Sequence, residues 1–144
     1  MKKTRVLFLC TANACRSQMA EGFARALKGE VIDAFSAGVL LHPVLGEAVQ
    51  VMKEAGVDIS TQYSKHVNEL KNLDFDYVIT LCADAREACP VFPGKAKVIH
   101  VPFDDPPALA ANARTAEEAL GHYRRVRDEI RAFIRTLPQA LKKR

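Results

Sequence analysis

RVLFLCTANACRSQMAEGFARAL, residues 5–27, changes its period in the middle. Val6 to Leu9 form an unbroken apolar run of strand formers, whereas Met19, Ala20, Phe23, Ala24 and Leu27 recur at helical spacing. The unit reads as strand, loop, helix, with the loop running from Cys10 to Ser17. In a tight loop of this kind successive backbone N–H groups converge on one point and the helix N-terminus adds its positive end, a nest suited to a tetrahedral oxyanion. Thr11, Ala12, Asn13, Ala14 and Cys15 supply that backbone, and Arg16 adds a guanidinium that can hold two oxygens at once. Ser17 is placed either to cap the helix or to donate its hydroxyl to Cys10. A helix N-terminus and an arginine both stabilise a thiolate, which makes Cys10 the candidate nucleophile. The loop is not a nucleotide cradle, since neither G-x-x-x-x-G-K-S/T nor G-x-G-x-x-G occurs in the chain.

The same alternation continues outward from this unit. Val31 to Ala37 reads as a second strand closed by Gly38, and Pro43 to Ala55 as a second helix with Gly56 as its stop. Asp76 to Cys82 gives a third strand and Ala96 to Val101 a fourth. A last helix starts at Thr115, with Glu118 completing a capping box, and its apolar stripe runs through Tyr123, Val126, Ile130, Ile134 and Leu137. Pro102 to Asn112 reads as loop. Apolar strands alternating with helices predict an α/β fold, a parallel sheet with helices on both faces, whose ligands bind at the carboxyl ends of the strands. Cys10 and Cys82 both fall at such ends.

A chain of 144 residues, 49% of them hydrophobic, suffices for one domain, residues 1–144, with a core that needs no staples. No apolar stretch approaches the roughly 18 residues of a membrane span, and the opening apolar run is too short for a secretory signal, so a cytoplasmic protein is expected. The net charge of +4 does not predict nucleic-acid binding. Lys2, Lys3, Arg5, Lys142, Lys143 and Arg144 lie in the termini, and the middle of the chain has no basic block and no Trp. These terminal charges read as solvated. Four cysteines, Cys10, Cys15, Cys82 and Cys89, in such a chain point to catalysis or metal binding rather than to a structural framework. A zinc or other thiolate cage is disfavoured because six residues separate Cys82 from Cys89, wider than the two to four of zinc knuckles. His42, His66, His100 and His122 show no ligand spacing, and Cys15 reads as a small buried hydrophobe.

The Cys-x5-Arg-Ser loop after the first strand resembles that of the low-molecular-weight protein tyrosine phosphatases, which implies a four-stranded parallel sheet flanked by helices. The fuller resemblance is to the thioredoxin-coupled arsenate reductases built on that fold. It is carried by CTANACRSQMAEG (10–22), FSAG (35–38), VITLCADAREACP (78–90), FDDP (103–106) and RVRDEI (125–130), in that order. The resemblance implies that Cys10 attacks arsenate, that Cys82 then attacks Cys10 in a transient Cys10–Cys82 disulfide, and that Cys89 closes a Cys82–Cys89 disulfide which thioredoxin reduces. It places the general acid on Asp105, directly before Pro106, rather than on Asp104. A phosphatase, the alternative reading, would need only Cys10, Arg16 and Asp105.

Some relatives bind potassium beside the loop. Asn13, Glu21 and Ser36 match that site, but Lys65 stands where an aspartate would complete it, so no metal is expected and the ammonium is available for the space. No cofactor is implied, and a monomer is expected. Residues 83–89 are good helix formers ending at Pro90, so the reduced chain is expected to carry a short helix there. Seven residues of helix span roughly 10.5 Å, and a disulfide needs its Cα atoms within about 4.4–6.8 Å. Such a helix would have to unwind when Cys82 and Cys89 join.

Overall fold

Strands β1 (Thr4–Leu9), β2 (Ile32–Ala37), β3 (Tyr77–Thr80) and β4 (Lys97–His100) form one sheet in the order β2-β1-β3-β4, every pair parallel. The computed structural model describes residues 2–83 and 94–143. Helices α1 (Arg16–Lys28), α2 (Gly46–Glu54), α3 (Pro106–Ala110), α4 (Ala116–Arg135) and α5 (Gln139–Lys142) complete the framework, with a 3-10 helix at Val67–Leu70. This is the four-stranded α/β architecture expected from the sequence. No described helix is long and apolar enough to cross a membrane.

Alternation along the strands divides the core. Val6, Phe8, Ile79 and Ile99 face α1 and α4, whose Phe23, Tyr123, Val126 and Ile130 are buried against them. Leu7, Leu9 and Val78 face the other way, toward Val67 and Leu70 of the 3-10 helix and Phe75. Helical segments thus cover both faces, unequally among the described residues. The α4 stripe keeps its spacing to the end, with Ile134 and Leu137 fully buried.

The helix ends differ from the sequence expectation for identifiable reasons. The second helix begins at Gly46 rather than Pro43 because the chain stays extended through Leu45, whose N–H donates to the Ala14 carbonyl at 3.0 Å. Residues 102–112 are not all loop. Pro106 and Pro107 occupy the first turn of α3, where a missing N–H and a fixed φ are tolerated, after an extended Asp105. Thr115 caps α4 by accepting from the Glu118 N–H at 3.0 Å, but the Glu118 carboxylate reaches Arg114 rather than Thr115.

Because the strands are parallel, their carboxyl ends meet at one edge, where Cys10, Gly38 and Leu81 follow β1, β2 and β3. Truncating Ile130, fully buried between α4 and the sheet, tests the packing that holds this edge in place. Ile130→Ala is expected to lower the urea-unfolding free energy by about 2–5 kcal/mol. A loss well below about 1 kcal/mol would contradict the packing described.

Candidate active site

The loop between β1 and α1 is held from outside by its carbonyls. Thr11 O accepts from the N–H groups of Val39 (2.9 Å) and Leu40 (3.0 Å), and Ala14 O from that of Leu45 (3.0 Å). Ala12 O accepts from Ser64 Oγ at 2.9 Å, and Asn13 O from Gln18 Nε2 at 2.8 Å. In a planar trans peptide the C=O of one residue and the N–H of the next point in opposite directions. The amides of the residues that follow are therefore turned away from these partners, and on the loop's inner side Cys10, Thr11, Ala12, Ala14, Cys15 and Arg16 line a hollow of about 370 Å³.

Two residues make the tight course of the loop possible. Asn13 takes φ of 52°, a left-handed conformation that Asn tolerates better than most residues. Its side chain is fixed at both ends, Oδ1 accepting from the Lys65 N–H (2.9 Å) and Nδ2 donating to Ser17 Oγ (2.8 Å). Gly38 lies so close behind the loop that a Cβ would stand 2.7 Å from Thr11 O and 2.8 Å from Cys10 O.

Cys10 Sγ lies 2.9 Å from Ser17 Oγ, both buried. The serine oxygen already accepts from Asn13, which leaves its proton for the sulfur. Of the two roles open to Ser17, the structure therefore favours donation to Cys10, and the helix N-cap is Cys15, without a side-chain cap. Arg16, 4% exposed, is anchored through Nη1 to the carbonyls of Leu81 (3.2 Å) and Phe103 (3.1 Å). Its Nη2 stands 3.6 Å from the carboxylate of Asp105, which lines the same hollow. Asp104 turns outward to Arg125 at 2.8 Å.

The remaining cysteines have different surroundings. Cys15 is buried in the core beneath the loop, and burial first, then the neighbouring Cys10, pushes its thiol well above the ordinary value. Cys82 follows Leu81, is fully buried and is not part of the hollow's lining. Cys89 lies outside the described residues, and so does the short helix expected over residues 83–89 beyond Ala83.

Behind the loop the structure brings Asn13, Glu21, Ser36 and Lys65 together. Glu21, 1% exposed, accepts from Ser36 Oγ at 2.6 Å and pairs with Arg25 at 3.2 Å. The Lys65 ammonium stands 3.7 Å from Glu21, donates to the Tyr63 carbonyl at 3.0 Å and lies 4.5 Å from the centre of the Tyr63 ring. Burial lowers the pKa of Lys65, opposed by the charge of Glu21.

Sequence spacing did not reveal every residue at the hollow. His42, Leu45 and Pro107 also line it. His42 Nδ1 lies 2.8 Å from the Pro43 carbonyl, which can only accept, so Nδ1 carries the proton and Nε2 is the nitrogen left for other contacts. Gln18, Gly38 and Ser64 shape the loop without entering the hollow, and nothing in their spacing marks them.

Fold and loop are those of an α/β protein with a thiol at the centre of an oxyanion nest, an arrangement able to attack a tetrahedral oxyanion and to protonate the oxygen that leaves. Residues 5–144 match the low molecular weight phosphotyrosine protein phosphatase family. An arsenate reductase of Halalkalibacterium halodurans is 43% identical over 139 residues, which span 96% of this chain and 98% of that relative. The Bacillus subtilis arsenate reductase is 44% identical over 130 residues, 90% of this chain and 91% of that one. A solved arsenate reductase in its phosphate-binding state superposes with a TM-score of 0.77 at 31% identity, covering 93% of this chain and 95% of the other. The chain belongs to the low molecular weight phosphotyrosine protein phosphatase family and, within it, to the arsenate reductases.

Two measurements test the site. Gly38→Ala forces a methyl group against loop backbone and is expected to weaken phosphate binding by about tenfold or more, whereas wild-type affinity would show that the loop does not depend on this approach. Under native conditions iodoacetamide is expected to leave Cys15 unmodified, because a buried, protonated thiol is a poor nucleophile. Mass spectrometry showing Cys15 alkylated as fast as Cys10 would contradict the surroundings assigned to it.

Proposed function

We propose that this chain reduces arsenate to arsenite in the cytoplasm, as a one-domain monomer, with Cys10 as nucleophile, Cys82 and Cys89 as a thiol relay and thioredoxin as the reductant. The observation that carries the reading is the neighbourhood of a second thiol. Arg16, which faces the hollow, is anchored to the carbonyl of Leu81, and Cys82 is the next residue. Hydrolysis of a phosphate ester has no use for that thiol, whereas reduction by two electrons needs one.

In the first step the Cys10 thiolate attacks arsenic(V), the amides of the loop and Arg16 hold the oxygens, and one oxygen leaves as water with a proton from Asp105. The Ser17 hydroxyl holds the sulfur in line. Cys82 then attacks the sulfur of Cys10. The sulfur–arsenic bond breaks, its electron pair stays on arsenic, and arsenite departs while the two sulfurs are oxidised to a disulfide. Cys89 attacks Cys82, which frees Cys10 and leaves the Cys82–Cys89 disulfide. A dithiol protein returns both to thiols by the same exchange. Because Cys82 is buried outside the hollow, the second step requires local movement at the end of β3.

The same nest accepts phosphate esters in principle, so weak phosphatase activity is compatible with this reading. Cys10→Ser is expected to abolish arsenate reduction and any p-nitrophenyl phosphate hydrolysis. Arg16→Lys is expected to impair both severely, since an ammonium cannot reproduce the bidentate fork. Cys82→Ser is the discriminating variant. It is expected to stop arsenite production with thioredoxin, thioredoxin reductase and NADPH while leaving phosphatase activity largely intact. Full arsenate turnover in Cys82→Ser would overturn the relay and leave a phosphatase-like protein.

A further inference from the structure

At the amino ends of the strands, the pole opposite Cys10, basic residues from three parts of the chain converge. Lys2 and Lys3 precede β1, Lys95 and Lys97 lead into and begin β4, and Lys142 ends α5, and all five line one hollow of about 470 Å³ with Thr4, Asp76 and Tyr77. β1 alone, six residues, separates this pole from the catalytic loop by about 20 Å.

These five ammonium groups differ from most other cations of the molecule. Among the described residues none of the five has a carboxylate within ion-pair distance, whereas Arg25, Lys65, Arg124, Arg127 and Arg131 all do. Asp76, the one acidic group in the lining among the described residues, accepts from the Arg5 N–H at 2.8 Å. Gathering five like charges around a concavity is unfavourable in the free protein, and an anion with several charges relieves that repulsion. The positive region is also bounded. Next to it lies a second hollow where Lys2, Lys3 and Arg5 are interleaved with Asp33, Asp74 and Asp76. A long phosphodiester track leaving the lysines on that side would meet three carboxylates, whereas a short anion fits inside the lysine ring. The volume is that of an ordinary small-molecule pocket, about 300–1,000 Å³.

We propose that this polar hollow binds a compact polyanion with closely spaced phosphates, either an inorganic polyphosphate chain or the triphosphate of a nucleotide.

Isothermal titration calorimetry of the full-length protein with tripolyphosphate and with ATP tests this. Saturable one-to-one binding is expected, about tenfold or more weaker in the double variant Lys97→Glu, Lys142→Glu, and retained in Arg16→Gln, where the catalytic loop has lost its guanidinium. Both lysines are exposed, and arsenate reduction by the double variant is expected at the wild-type rate, which also confirms that it folds. Tighter binding of ATP than of tripolyphosphate identifies the nucleotide as the source, and equal affinity identifies the phosphate chain. Absence of saturable binding, affinity unchanged by the lysine reversals, loss of binding in Arg16→Gln, or tighter binding of a single-stranded oligonucleotide would overturn the proposal.

Discussion

The planarity of four peptide units controls the chemistry of this protein. An amide loop can bind an oxyanion only if its N–H groups face inward together, and nothing in a flexible loop enforces that. Here the carbonyls of Thr11, Ala12, Asn13 and Ala14 are each bound from outside, and the trans peptide transmits that fixation to the following N–H. Ordering is complete before any anion arrives, so binding does not have to supply the entropy of arranging the loop. Most partners come from distant parts of the chain, Val39, Leu40 and Leu45 after β2 and Ser64 before the 3-10 helix, while Gln18 reaches back from α1. Arg16 adds a second set of ties, to carbonyls that follow β3 and β4. The catalytic edge is thus the place where every strand of the sheet is connected to one loop.

Against this frame three of the thiols acquire different characters from their surroundings alone. Cys10 has a hydroxyl donor at 2.9 Å and a guanidinium in the same hollow. Cys15, five residues later, is pressed into the apolar core, where burial favours the neutral thiol. Cys82 is buried at the end of β3, beside the anchor of Arg16 and away from the hollow. In the proposed relay, placing Cys82 outside the cavity that Cys10 lines separates the attack on arsenic from the disulfide step. The buried Glu21–Lys65 pair, joined from the surface by Arg25, lies behind the loop, where the backbone N–H of Lys65 holds the Asn13 side chain that in turn holds Ser17.

The parts of this arrangement that are local in sequence were legible from it. A change of period at Cys10 placed the strand, the loop and α1, and the spacing of Cys10, Arg16 and Ser17 suggested the oxyanion nest. Glycine at position 56 marked the end of α2, and Thr115 the start of α4. What could not be read depends on long-range hydrogen bonds. Ser64 and Lys65 reach the loop across 52 positions, and no residue-type pattern announces such a pairing. Residues 102–112 read as loop, yet Pro106 and Pro107 begin α3, since proline is tolerated in a first helical turn. The separation of Asp104 from Asp105 came from family resemblance, and the structure supplies the cause, a surface arginine that draws Asp104 outward. Terminal lysines read as independent solvated charges because their convergence is a consequence of parallel strands and of where α5 ends. His42 carried no spacing signal, since it reaches the hollow from the segment after β2.

A preformed anion nest needs the amides of Ala12, Asn13, Ala14 and Cys15 to respond to an anion together. Proton–nitrogen correlation spectra of the reduced protein, recorded while inorganic phosphate is added, address it most directly. These four amide protons are expected to shift downfield together on saturation, as hydrogen bonds to the anion form, while the amides of Val39, Leu40 and Leu45 that hold the loop carbonyls stay nearly unchanged. Large shifts at Val39, Leu40 and Leu45, with little response from residues 12–15, would mean that the anion reorganises the loop or binds elsewhere, and would contradict a preformed nest.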